Sequence, residues 1–391
     1  MEKTFKVGTR QFHPDPNFNY QMNRWAAFGD LPEDAVRKAA AKITDINDWC
    51  REFLGLARDA ESKGDVQRAA FYYRSVDFFL PYGHPEKMEI HDRTVALLRE
   101  LHAPWFENRR IVESYVPYGQ GRMPAWHAPA NRAEKKGTIL FTGGFDCIKE
   151  ELVPVLLTFS DKGYDILYFE GPGQGETLAK EGIPMTPLWE KPVSAVLDHF
   201  GLSEVTIVGL SLGGYLAPRA AVFDKRIKRI VSWGIMYDFF DIAVSRRGPF
   251  LNALLRTLLF FRLSGVVNAL VGWKMKRDPY MHWGVDHGMR VMGVASPYDY
   301  FREMKKYSLK ALTGKVEQDV LLTTGTDDHF VPLSHYHRLS KGLVNAKSVT
   351  GRVFSSKESA ENHCQFGNVP LTLEVIADWI DLQSAELPGR M

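Results

Sequence analysis

The chain has 391 residues, enough for one large domain with appendages or for two domains. Hydrophobic residues make up 45% and charged residues 25%, the balance of an ordinary soluble globular protein. Lys and Arg (49) nearly cancel Asp and Glu (47), and a net charge of +2 gives no reason to expect nucleic acid or an anionic membrane as partner.

The stretch MEKTFKVGTRQFHPDPNFNY has no apolar core of the kind a secretory signal needs. The three cysteines, Cys50, Cys147 and Cys364, show no metal-ligand spacing and suggest a reducing compartment. A cytoplasmic location is therefore expected. Residues 1–109 read as a helical region without strands. In TDINDWCREFLGLARDA, Thr44 is the expected N-cap, and Ile46, Trp49, Cys50, Phe53, Ala57 and Ala60 recur at helical spacing. Gly64 and Asp65 break the chain, and VQRAAFYYRSVDFFL repeats the pattern with Val66, Ala69, Ala70, Tyr73 and Val76.

From residue 110 the texture changes. RIVESYVPYGQGRMPAWHAP reads as a hairpin bending at Gly119 and Gly121, and GTILFTGG and YDILYFEGPGQGE read as short apolar strands ending in glycines. KEELVPVLLTFSDKG and PVSAVLDHFGL read as helices between strands, and TIVGL and IKRIVSWG as two more strands. Alternation of this kind argues for a parallel sheet covered by helices on both faces, here over residues 110–236 and again over 313–391. It fails over residues 237–312, which are mostly helical in pattern and rich in aromatics and methionine. An insertion there is expected to cap the carboxyl ends of the strands, where ligands bind in such folds. Within it, Leu251 to Trp273 is long enough to span a bilayer. Arg256 and Arg262 would each cost about 2.5–3.5 kcal/mol near its centre, so the stretch reads as amphipathic helices covering something apolar.

GLSLG, residues 209–213, stands where a strand gives way to a helix, the setting in which a serine is held exposed on a sharp turn. Ser211 is the candidate nucleophile, with Gly209 and Gly213 expected to let the two backbones approach. The acid is expected after a late strand. In VLLTTGTDDHFVP, Asp328 is preferred over Asp327 by its spacing to Val331-Pro332. His363, in the loop before the final helix, completes the order Ser, Asp, His. His329 reads as a site lining or a surface residue. Two backbone N–H groups would form an oxyanion hole: Leu212 after the nucleophile and Phe145 in LFTGGFD, with Gly144 as the alternative. Asp146 either orders that loop or serves as a turn residue. EGPGQGE, residues 170–176, lacks the residues of a P-loop or a dinucleotide fingerprint and reads as pocket floor. No cofactor and no metal are expected, and Cys147 and Cys364 are expected to serve packing.

Taken together, TGGFD, EGPGQGE, GLSLGGY, GTDDHFVP, NHCQFGN and the helical leader resemble the α/β-hydrolase superfamily. Within it they resemble a group that holds the dihydroxypseudooxynicotine hydrolase, fungal polyketide-tailoring hydrolases and fermentation-respiration-switch-type esterases. The resemblance implies an α/β-hydrolase fold, a mostly parallel eight-stranded sheet with helices on both faces, a helical amino-terminal region packed over the site and a helical cap. It also implies a homodimer and, in several members, cleavage of a C–C bond beside a ketone. Neither nucleic acid nor a membrane is an expected partner; a small-molecule substrate is. Phe145, Trp233, Tyr237, Phe239 and Trp283 are candidate substrate contacts, Asp146 and Asp238 are further substrate-binding candidates, and Asp238 or Asp241 is a candidate acid or a helix-start residue. An esterase, a lactonase or an acyl-transfer cyclase is the alternative reading, and a non-catalytic binding protein the third.

Overall fold

The computed structural model describes residues 5–245 and 248–385; residues 1–4 and 386–391, the outer ends of the first and last segments above, lie outside the described residues. Eight strands form one sheet in the order β1-β2-β4-β3-β5-β6-β7-β8. They are β1 (Val112–Tyr118), β2 (Gly121–Ala128), β3 (Gly137–Thr142), β4 (Tyr164–Phe169), β5 (Val205–Leu210), β6 (Ile227–Trp233), β7 (Asp319–Gly325) and β8 (Ser348–Phe354). β2 runs antiparallel to β1 and β4, and every other pairing is parallel.

β5 and β7 are buried at every position, as strands covered on both faces must be, and their sequences are accordingly apolar or small apart from Asp319, which opens β7 paired with Lys347. The chain moves outward from β3 to β4 and then returns to the other side of β3 to place β5. The loops following β3 and β5 therefore leave adjacent strands at a switch point, with Thr142 beside Gly209 in register. This topology is what brings residues 143–145 next to Ser211.

The chain divides into two compact units. Among the described residues, 5–7, 104–239 and 307–385 hold the sheet; 8–103, 240–245 and 248–306 form a helical unit, so leader and insertion share one body. Its core is aromatic. Trp49 packs on Phe53, Phe79 and Phe18, and Trp283 packs on Phe78 and Phe79. Both indole N–H groups are satisfied, Trp49 donating to Ser75 O at 2.9 Å and Trp283 to Phe78 O at 2.7 Å. The N-cap of helix Ile46–Ser62 is Asp45, which accepts from the Asp48 N–H at 2.9 Å, rather than Thr44, whose own N–H and hydroxyl donate to Asp48.

Asp77 sits buried in this unit between Lys87 (2.8 Å), Arg74 (3.3 Å) and His91 (3.3 Å). Burial alone would raise its carboxyl; the Lys87 ammonium, with His91 and Arg74, outweighs burial and holds it far below the usual carboxylate range. Asp77→Ala strands two buried cations, so chemical denaturation is expected to show a loss of about 3–5 kcal/mol.

The stretch from Leu251 to Trp273 departs from expectation. It folds as helices Pro249–Phe260 and Ser264–Met275, in which only Leu259, Val267 and Val271 are buried. Most of its apolar side chains cover nothing among the described residues. Among those residues, no helix is long and apolar enough to cross a membrane.

Candidate active site

Ser211 is the first of the two residues between the end of β5 and helix Gly213–Phe223, and its φ of +58° lies in the left-handed region. For a serine that conformation costs about 1–3 kcal/mol. It is held by the Ser211 N–H, which donates to Trp233 O at 2.8 Å. The turn closes only with small residues. A Cβ on Gly209 would lie 2.1 Å from Gly213 O, and one on Gly214 would lie 2.0 Å from Gly234 O. At Gly213 the nearest atom, Thr142 O, would be 3.0 Å away. The second strict requirement is therefore Gly214, one residue beyond the expected Gly213.

Asp328 and His363 meet this serine. Asp328 follows β7, and its Oδ1 accepts from the Phe330 and Val331 N–H groups at 2.8 Å each. Its Oδ2 lies 2.7 Å from His363 Nδ1, and His363 Nε2 lies 2.9 Å from Ser211 Oγ. Asp327 is exposed and accepts from the Thr326 hydroxyl instead. Burial would raise the Asp328 carboxyl, but His363 and the two backbone donors outweigh it and hold the carboxyl below its ordinary value. Burial would likewise lower the His363 imidazole; the Asp328 charge outweighs it and holds the imidazole well above its usual value. An ionised Asp328 keeps the proton on Nδ1, which leaves Nε2 to accept from the serine hydroxyl.

The loop after β3 abuts the serine. A Cβ on Gly144 would stand 2.9 Å from Ser211 Cβ and 3.1 Å from Leu210 O. The Gly144 N–H donates to Cys147 Sγ at 3.3 Å, so it is engaged within the loop itself. The Leu212 N–H lies at the start of helix Gly213–Phe223, where backbone donors have no intrahelical acceptor. Serine, histidine, aspartate and this loop thus converge at the carboxyl edge of the sheet. Among the described residues, no group of three or more His, Cys, Asp or Glu side chains could hold a metal ion.

No protein-family model matches the chain. The crystal structure of 2,6-dihydroxy-pseudo-oxynicotine hydrolase superposes with a TM-score of 0.63 at 19% identity, over 92% of this chain and 94% of that one, and shows the fold. 20-hydroxy-prefusarin hydrolase FUS2 of Gibberella moniliformis is 30% identical over 364 residues, 85% of each chain. Alpha/beta hydrolase psoB of Aspergillus fumigatus is 30% identical over 342 residues, 76% of each chain. The chain belongs to the α/β-hydrolase superfamily. Hydrolysis is the activity that this relationship supports.

The α/β-hydrolase framework here is braced by residues that sequence reading assigned elsewhere or passed over. Trp233, expected as a substrate contact, ends β6 fully buried; its indole N–H donates to Cys364 O at 2.9 Å while its carbonyl holds Ser211. It ties the serine turn to the histidine loop, where Cys364 and Gln365 both take a φ of +52°. Trp283 belongs to the aromatic core of the helical unit. Asp238 accepts from the Ser308 hydroxyl at 2.9 Å and pairs with Lys310 at 3.0 Å, joining the segments that leave for and return from the insertion. Asp241 pairs with Arg256. Tyr237 is half-buried, its ring 6.2 Å from that of His335, and Asp146 is half-buried beyond Phe145. The His329 ring lies tilted against that of Phe330, which meets His363 edge-on. Phe145 and Phe239 are both half-buried and meet edge to face at 5.4 Å.

Gln174 is the functional residue that sequence reading missed. Buried in the GPGQGE loop, its amide donates to Gly143 O and Gly144 O at 3.0 Å each, and its Oε1 accepts from the Gly171 N–H. Behind it, buried Lys149 joins Glu176 (2.8 Å), Glu150 (3.2 Å) and Glu170 (3.3 Å). Cys147, expected only to pack, accepts from Gly144 in the same loop. A lone glutamine among glycines was the available signal. Gln174→Leu frees two buried carbonyls and loosens the loop, so kcat is expected to fall by roughly 10- to 100-fold with a smaller change in KM. Steady-state kinetics on any ester that is turned over checks this.

Proposed function

We propose that this α/β-hydrolase is a serine hydrolase that cleaves a C–C bond beside a ketone in a polyketide or aromatic small molecule. Ser211 is the nucleophile, His363 the general base and acid, and Asp328 the group that orients and charges the imidazole. The observation that carries the first part is the continuous relay, 2.7 Å from Asp328 to His363 and 2.9 Å from His363 to Ser211.

The chemistry balances as follows. Ser211 Oγ bonds to the ketone carbon as its proton passes to His363 Nε2, and the oxyanion accepts from the Leu212 and Phe145 N–H groups. The C–C bond then breaks with its electron pair on the departing carbon, which takes the proton from His363. That carbon must be stabilised as an enolate or phenolate. Water, deprotonated by His363, attacks the acyl-serine and releases a carboxylic acid and free Ser211.

Support for a polyketide or aromatic substrate comes from the relative named 20-hydroxy-prefusarin hydrolase and from the half-buried Phe145–Phe239 pair, which suits a flat conjugated chain. Assay of an aryl β-diketone beside its matching ester is the test. The proposal expects turnover of both. Turnover of the ester alone would leave an esterase, lactonase or acyl-transfer cyclase, and turnover of neither would favour a protein that only binds.

A further inference from the structure

Helices Pro249–Phe260 and Ser264–Met275 present an apolar surface that nothing in the described chain covers. Phe250 (76%), Phe260 (78%), Phe261 (63%) and Trp273 (56%) are the most exposed of its large side chains. On the second helix, Val266, Leu270 and Trp273 recur at intervals of three and four and extend the line begun by exposed Leu263. The opposite side of that helix is anchored. Val267 and Val271 are buried, and Asn268 Oδ1 accepts from the Tyr298 N–H at 2.9 Å. Between the helices, Arg262 adopts a φ of +56° and turns the chain, leaving Phe260 and Phe261 at the tip.

Charge on this element is one-sided. From Gly248 to Arg277 the sequence holds five Lys or Arg and no Asp or Glu, in a chain whose net charge is only +2. Arg256 is paired with Asp241 and Lys274 with Asp278 (3.6 Å), and Arg277 lies over the Trp273 ring at 4.2 Å. Arg262 and Lys276 are exposed.

We propose that this helical hairpin is a docking surface for an anionic lipid bilayer, lying in the interface with its aromatic tip among the headgroups and its cations on the lipid phosphates. Exposed Phe and Trp beside an unbalanced run of Lys and Arg is the composition that such an interface selects. Each helix has 12 residues and spans about 18 Å, too short for a hydrocarbon core of about 30 Å, so the element lies on the membrane rather than crossing it. A second copy of the chain fits less well, because a two-fold contact would set this cationic element against itself. The expectation of no membrane partner came from a net charge averaged over the whole chain, which hides a local surplus.

The test is co-sedimentation of the full chain with phosphatidylcholine vesicles containing one-third phosphatidylserine, against vesicles of phosphatidylcholine alone. The expected result is pelleting with the anionic vesicles that weakens as salt rises. Phe260→Ser with Phe261→Ser, and separately Arg262→Glu with Lys276→Glu, should each lower that binding about tenfold while circular dichroism stays unchanged. Equal and negligible pelleting with both vesicles would overturn the proposal. So would a dimer by light scattering that the double phenylalanine variant converts to monomer while leaving vesicle binding as it was, because the surface would then serve a second copy.

Discussion

Ser211→Ala is expected to lower kcat by about ten thousand- to a millionfold while leaving the fold and substrate affinity almost unchanged. The magnitude follows from the proposed role. Removing the nucleophile of a serine, histidine and aspartate set costs about as much as removing all three, and the residual rate comes from the oxyanion site and binding. The substitution is also clean. Ser211 is held by its backbone N–H on Trp233 O, which alanine keeps, and alanine adds no atom to the crowded turn of Gly209 and Gly214. A thermal midpoint close to that of the unaltered chain, measured beside the kinetics, separates loss of chemistry from loss of structure. A variant retaining more than a tenth of the activity would remove Ser211 from the mechanism.

Asp328→Asn should reduce kcat/KM by about ten thousandfold, because an amide no longer fixes the proton on Nδ1 or stabilises the imidazolium. It should also move the pH profile. His363 must be neutral to take the serine proton, so activity in the unaltered chain is lost as pH falls through the imidazole pKa. Asp328 holds that pKa well above its ordinary value against the opposing pull of burial. Without the carboxylate the larger upward influence is gone and burial is opposed only by the smaller influence of Cys364, so the acidic limb of kcat/KM shifts to lower pH while the plateau drops. Asp327→Asn, which alters an exposed side chain bonded to Thr326, should change neither. An acidic limb that stays in place in Asp328→Asn would mean that another group sets it.

Much of this site is legible in the sequence because its signals are local. A serine at a strand-to-helix turn forces small neighbours, Ser211 and Asp328 follow strands whose apolar character is visible in a short window, and His363 stands just before the final helix. Legibility ends where a side chain's partner is remote. Gln174 reaches back to Gly143 and Gly144, and Trp233 reaches forward to Cys364, across intervals that no periodicity reports. Trp283 looks like a pocket aromatic until the leader helices are seen to share its core. The helices around Phe260 show the opposite failure. An apolar stripe at helical spacing is the same pattern whether it faces a core or lies open, and composition alone favoured the core.

The central claim is that Ser211 is an activated nucleophile, and the most direct measurement is intact mass after exposure to a fluorophosphonate probe. A single phosphonyl adduct, mapped to the peptide of residues 206–219 and absent in Ser211→Ala, is the result expected from the relay through His363 and Asp328. An unlabelled but folded protein, or an adduct that persists in Ser211→Ala, would contradict it.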